Sequence, residues 1–139
     1  MDRNETERRK DGIMVRRSSA GLGLFAAREF RKGETIIEYV GTRVPSSDEE
    51  VGTNRYLFRV NASWDIDGSP RWNTARYVNH SCRPNAEAVN RRGRIFIVAR
   101  RRIREHEEIT YDYGREYVER YIRECRCRAC AGKKQNPVG

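Results

Sequence analysis

No apolar run in this sequence approaches the roughly 20 residues that a membrane-crossing helix needs; the longest, IFIVA at 95–99, has five. The sequence therefore reads as having no membrane span. The opening residues MDRNETERRKDG are charged throughout and hold no apolar stretch of the kind a secretory signal requires. An intracellular, reducing setting is the expectation. Histidine is nearly absent, with only His80 and His106. A metal or triad role for His80 would have no second histidine nearby, and His106, in the charged turn REHEE, reads as solvent-exposed. Cysteine is limited to four, three of them within CRCRAC. In a reducing compartment such a cluster suits metal ligands or reactive thiols better than disulfides. No internal repeat or low-complexity block is visible, which excludes an array architecture.

What the chain does have is charge. Its 139 residues and 16.3 kDa allow one domain with a modest core. Charged residues make up 35% against 37% hydrophobic, and the net charge of +9 comes almost wholly from arginine. Runs such as RRGR (91–94) and RRRIR (100–104) suit a footprint for nucleic acid or another acidic partner, and they suit a solvated basic surface on strands and turns equally well.

Along the chain, residues 1–12 are polar and aperiodic and read as a disordered segment. Short apolar stretches between glycines and polar turns predict strands at Ile13–Val15, Leu24–Ala27 and Thr35–Val40. Residues 42–54, rich in Pro, Ser, Asp and Gly, read as a loop or short helix. YLFRV (56–60) and WDID (64–67) return to strand character. AEAVN and RIFIVA form a hairpin across Asn90–Arg94. In REYVERYIREC, Tyr117, Val118, Tyr121 and Ile122 fall at helix spacing. The last seven residues read as a frayed tail.

Four groups carry chemistry. Cys125, Cys127 and Cys130 at C-x-C-x-x-C spacing suit one tetrahedral zinc ion, and Cys82 is the one cysteine left to complete a closed, structural four-thiolate set. Free thiols or a redox pair are the alternative. Asn79 and His80 stand directly before Ser81 and Cys82, where a satisfied polar turn is the plain explanation. Gly21, Leu22 and Gly23 would let a ligand approach the backbone closely, or make an ordinary tight turn. Tyr111 and Tyr113 share one face of an extended segment and would line one pocket, or simply pack.

Taken together, these motifs resemble the SET domain of protein-lysine methyltransferases, in order from about Ile13 to Cys130. GLGLFA resembles the cofactor turn and IIEYVG the strand after it. YLF and DID are similar to the central strands. ARYVNHSCRPNAEA is similar to the Asn-His-Ser-Cys signature, EEITYDYG to the catalytic-tyrosine motif, and CRCRAC to the post-SET cysteine cluster. The resemblance implies a mainly β (α+β) fold of several small sheets with a knot-like crossing and short helices. It implies a SET domain at 13–114, a post-SET helix and zinc segment at 115–132 and a flexible tail at 133–139. It also implies an S-adenosylmethionine-dependent lysine N-methyltransferase, mainly monomethylating, acting on a histone or histone-like protein.

The implied cofactor-binding residues are Gly21, Leu22, Gly23, Tyr56, Arg76, Asn79 and His80. Tyr113 takes the catalytic position, Tyr111 the position that sets the degree of methylation, and Tyr39 the channel wall. Cys82, Cys125, Cys127 and Cys130 would hold one structural zinc, and Arg76 would pair with Glu108 near the crossing. Thr42 stands where the family often has Glu, the spacing between Cys127 and Cys130 is tighter than in many relatives, and no cysteine-rich segment is expected before the domain. Chromatin association follows, in a nucleus or a prokaryotic cytoplasm, with electrostatic contact to DNA. The rival class is a basic zinc-stabilised DNA- or nucleosome-binding module without catalysis.

Overall fold

The computed structural model describes residues 12–19, 21–46 and 56–114. Ten strands form three small sheets. In the first, β1 (Ile13–Ser18), β2 (Gly21–Ala26), β10 (Glu108–Tyr111) and β7 (Asn79–His80) lie side by side in the order β1-β2-β10-β7. The second runs β3 (Thr35–Tyr39), β9 (Arg94–Ala99), β8 (Ala86–Arg91). In the third, β6 (Trp64–Asp67) lies between β4 (Thr42–Pro45) and β5 (Leu57–Arg59). A single 3-10 turn, Thr74–Tyr77, is the only helix among the described residues. The mainly β architecture of several small sheets is the one expected.

Alternating burial explains the strands. Along β9, Ile95 and Ile97 are fully buried while Arg94 faces solvent. Leu24 and Ala26 of β2, Ile109 of β10, Phe30 and Ile103 complete the same core. Each such side chain contributes about 1.5–3 kcal/mol on leaving water. Phe30 and Ile103 face each other through an isolated bridge that joins the loops after β2 and β9.

Two expectations change. Thr42–Pro45, read as loop or short helix from its polar composition, is a strand, because its backbone pairs residue by residue with Trp64–Asp67. GLG is the start of β2, paired to Arg16, Arg17 and Ser18, rather than a turn. The predicted hairpin is present in full register from Ala86↔Ala99 to Arg91↔Arg94. The remaining distinctive feature is β10. It pairs antiparallel with β2 and parallel with β7, so a strand from the end of the described chain is inserted between two earlier ones. The helix expected in REYVERYIREC and the tail expected at 133–139 lie outside the described residues.

Candidate functional site

β7 and β10 converge on the site through their parallel pairing, Thr110 with Asn79 and Tyr111 with His80, and Asn85 braces β10. Fully satisfied and 3% exposed, its side-chain amide donates to the Glu108 carbonyl (2.8 Å) and accepts from the Thr110 N–H (2.9 Å). The strand carrying Tyr111 and Tyr113 is thereby fixed beside the segment carrying Asn79. Their two rings lie 4.8 Å apart, as side chains two apart on an extended segment should. Tyr113 Oη donates to the Val78 carbonyl.

On the opposite wall, buried Tyr39 donates from Oη to the Tyr56 carbonyl (2.7 Å) and packs 5.3 Å from Phe58. Buried Asn73 holds the end of β3, accepting from the Val40 N–H (3.1 Å) and donating to the Gly68 carbonyl (3.0 Å). Neither asparagine was assigned a role from sequence. Asn85 stands in the quoted RPNAEA, but an asparagine among turn formers carries no mark of whether it is buried.

Asn79 Nδ2 shares its two hydrogens among three acceptors: the Leu22 carbonyl (2.9 Å), Glu108 Oε2 (2.9 Å) and Ser18 Oγ (3.1 Å). This corrects one expectation. The Glu108 carboxylate takes Asn79 and makes no ion pair with Arg76, whose guanidinium instead stacks 4.4 Å over the Tyr56 ring and 5.5 Å over Tyr77. Arg76 Nε is a buried donor with no partner among the described residues. Gly23 belongs to the same knot of contacts: a Cβ there would run into the Glu108 carboxylate and come within 3.1 Å of Asn79 Nδ2.

The His80 ring is buried. Its Nδ1 accepts the Tyr113 N–H (3.1 Å), and its Nε2 lies 3.4 Å from Cys82 Sγ. Burial pushes the imidazole below its ordinary value, and Asp112, 3.6 Å from Nδ1, pulls weakly the other way. The ring is neutral at pH 7. With Nδ1 accepting, the proton sits on Nε2 and points at the sulfur.

One cavity of about 660 Å³ gathers much of this set. Leu22, Tyr39, Tyr56, Arg76, Asn79, Tyr111 and Tyr113 line it, joined by Arg59, Glu87, Arg100 and Asp112. Gly21, Gly23 and His80 do not line it, and Cys82 is exposed behind His80. Cys125, Cys127 and Cys130 lie outside the described residues. Among the described residues no group of three or more His, Cys, Asp or Glu side chains is placed to hold a metal.

Residues 21–114, about two thirds of the chain, match the family model described as SET domain. The chain belongs to the SET domain family. It is 38% identical over 123 residues to histone-lysine N-methyltransferase 2D of Homo sapiens, covering 80% of this chain and 2% of that protein. To the H3 lysine-4 specific histone-lysine N-methyltransferase of Saccharomyces cerevisiae it is 39% identical over 124 residues, 79% of this chain and 12% of the relative. To the putative histone-lysine N-methyltransferase ASHH4 of Arabidopsis thaliana it is 36% identical over 136 residues, 87% of this chain and 38% of the relative. This SET chain thus spans a small part of the length of such relatives.

Proposed function

We propose that this chain transfers a methyl group from S-adenosylmethionine to a lysine side chain of a protein, a histone or histone-like protein being the substrate that the relatives' names suggest. The observation that carries the reading is the cavity in which Tyr39, Tyr111 and Tyr113 meet Leu22, Arg76 and Asn79. Its volume falls within the roughly 300–1,000 Å³ of small-molecule sites.

The residues present fit the methyl donor. Arg76 Nε is an unsatisfied buried donor on a residue lining the cavity, suited to a carboxylate. Leu22, 51% exposed, offers an apolar surface beside it, and the Asn79 amide oxygen is an acceptor for an ammonium. When bound, S-adenosylmethionine supplies an electrophilic methyl on a sulfonium. The protein's task is to align that methyl with an uncharged amine.

Tyr113 gives its hydroxyl hydrogen to the Val78 carbonyl, which makes the phenolic oxygen an acceptor toward an amine N–H in the cavity. The phenols of Tyr39 and Tyr111 narrow the passage, and Tyr111 limits the room for an amine already methylated. Monomethyl-lysine is the expected main product. A free lysine, with a pKa near ~10.4, loses its proton more easily in a partly apolar passage, since burial opposes the ammonium.

One structural zinc held by Cys82, Cys125, Cys127 and Cys130 belongs to the same proposal. The His80 Nε2–Cys82 contact supports Cys82 as a thiolate ligand. Chromatin association follows from the substrate class.

The test is incubation with labelled S-adenosylmethionine and recombinant histones, with mass spectrometry of the labelled peptides. Lysine methylation is expected. Cofactor titration by calorimetry with no detectable binding would leave a binding module without catalysis.

A further inference from the structure

The sequence contains two arginine runs of similar appearance, and the fold separates them. In the run 100–104, Arg101 pairs with Glu107 (3.0 Å) and Arg102 with Glu29, so half its charge is neutralised. The run 91–94 forms the β8–β9 turn and meets Arg43 of β4 across Trp64 of β6. Arg43 lies 4.1 Å over the Trp64 ring, and Gly93 abuts the same ring, a Cβ there reaching 3.2 Å from it. Arg91 and Arg94 stack on Phe96 at 5.3 and 5.1 Å. Among the described residues, Glu38 is the one carboxylate paired with any of these four arginines, held by Arg94 through Nε (3.0 Å) and Nη2 (2.7 Å). Four guanidiniums against one carboxylate leave a local charge of +3.

Turn-making does not account for Arg92. Arg92 (φ 55°) and Gly93 (φ 84°) both take the left-handed region, as a two-residue hairpin turn requires. Asparagine or glycine would adopt the Arg92 conformation at less cost. The turn is also held firmly: Asn90 Oδ1 accepts the Gly93 N–H (2.9 Å), and Asn90 Nδ2 donates to the Val60 carbonyl (3.0 Å). These arginines are therefore ordered by aromatic faces and a pinned turn, which lowers the entropy lost when each meets an anion.

We propose that the Arg43, Arg91, Arg92 and Arg94 surface grips the phosphate backbone of a nucleic-acid duplex. The ring faces of Trp64 and Phe96 are covered by guanidiniums. They present charge rather than the bare platforms that stack single-stranded bases. The cavity meets β8 at Ala86–Ala88, three residues before Arg91 and about 10 Å along the strand. The proposal is independent of the transfer reaction.

The experiment measures binding of the full chain to fluorescent DNA and RNA duplexes and a single strand between 50 and 200 mM salt. R43Q/R91Q/R92Q is compared with R16Q/R17Q/K32Q, which removes the same charge elsewhere. Melting temperatures and R92Q alone guard against misfolding. Duplex affinity is expected to fall about tenfold or more in the first variant, with a salt slope shallower by ~2–3, and to change less than about threefold in the second. R92Q alone should weaken binding in the same direction. Equal losses in both variants would show net charge alone at work and overturn the assignment. So would tighter binding to the single strand or to polyglutamate than to either duplex.

Discussion

The proposal gives Tyr113 and Tyr111 different work on one extended segment, and single-atom changes separate them. Tyr113→Phe removes the oxygen held at the Val78 carbonyl. It is expected to lower kcat by about 100-fold or more while cofactor affinity stays within about twofold; unaltered turnover would take Tyr113 out of the reaction. Tyr111→Phe enlarges the space beside the ring pair and should shift the product from monomethyl- toward di- and trimethyl-lysine, read by mass spectrometry of one peptide. The same product distribution would end the steric account. This pair was legible in the sequence because YDYG puts two phenols two residues apart, and strand alternation does the rest. The role of Glu108 was not. The family resemblance suggested Arg76, but the fold delivers the carboxylate to an amide and stacks the guanidinium on two rings.

β10 shows how much of the site depends on one brace. Asn85→Ala leaves the Glu108 carbonyl and Thr110 N–H without their partner. Two part-buried backbone groups so orphaned cost on the order of 1–3 kcal/mol together, measurable as a lower urea midpoint; a loss below about 0.5 kcal/mol would mean water replaces the amide fully. The strands themselves were mostly readable, since Ile95 and Ile97 alternate with outward residues and the RRG tip closes a hairpin. β4 was not readable. Thr42–Pro45 lacks apolar alternation, and only its pairing with β6 makes it a strand. Local propensity gives way to tertiary pairing there.

Charge acts on the molecule as a whole. The Arg28 hydrogen bond holds the Glu34 carboxyl below its ordinary 4.5, and the Arg94 hydrogen bond does the same for Glu38. Carboxyls depressed in the fold stabilise it above their unfolded pKa, and that contribution fades as the pH falls below about 4.5. The urea midpoint should therefore decline from pH 6 to pH 3, and E34Q/E38Q should flatten the decline; an equally steep slope in the variant would assign it to other groups. For the proposed zinc, a chelator should lower the melting temperature and added zinc should restore it. An unchanged melt would remove the metal from the account.

The insertion of β10 between β2 and β7 also sets an order of events during synthesis. β2 is made about eighty residues before the strand that completes its hydrogen bonding. A nascent chain leaving the ribosome must hold an open strand edge until Glu108–Tyr111 emerges, which favours slow, long-range closure and invites pairing with a neighbouring copy in the interval. Expression at lower temperature, or with a chaperone that shields strand edges, should raise the soluble yield of this chain more than that of a protein whose strands pair in the order they are made.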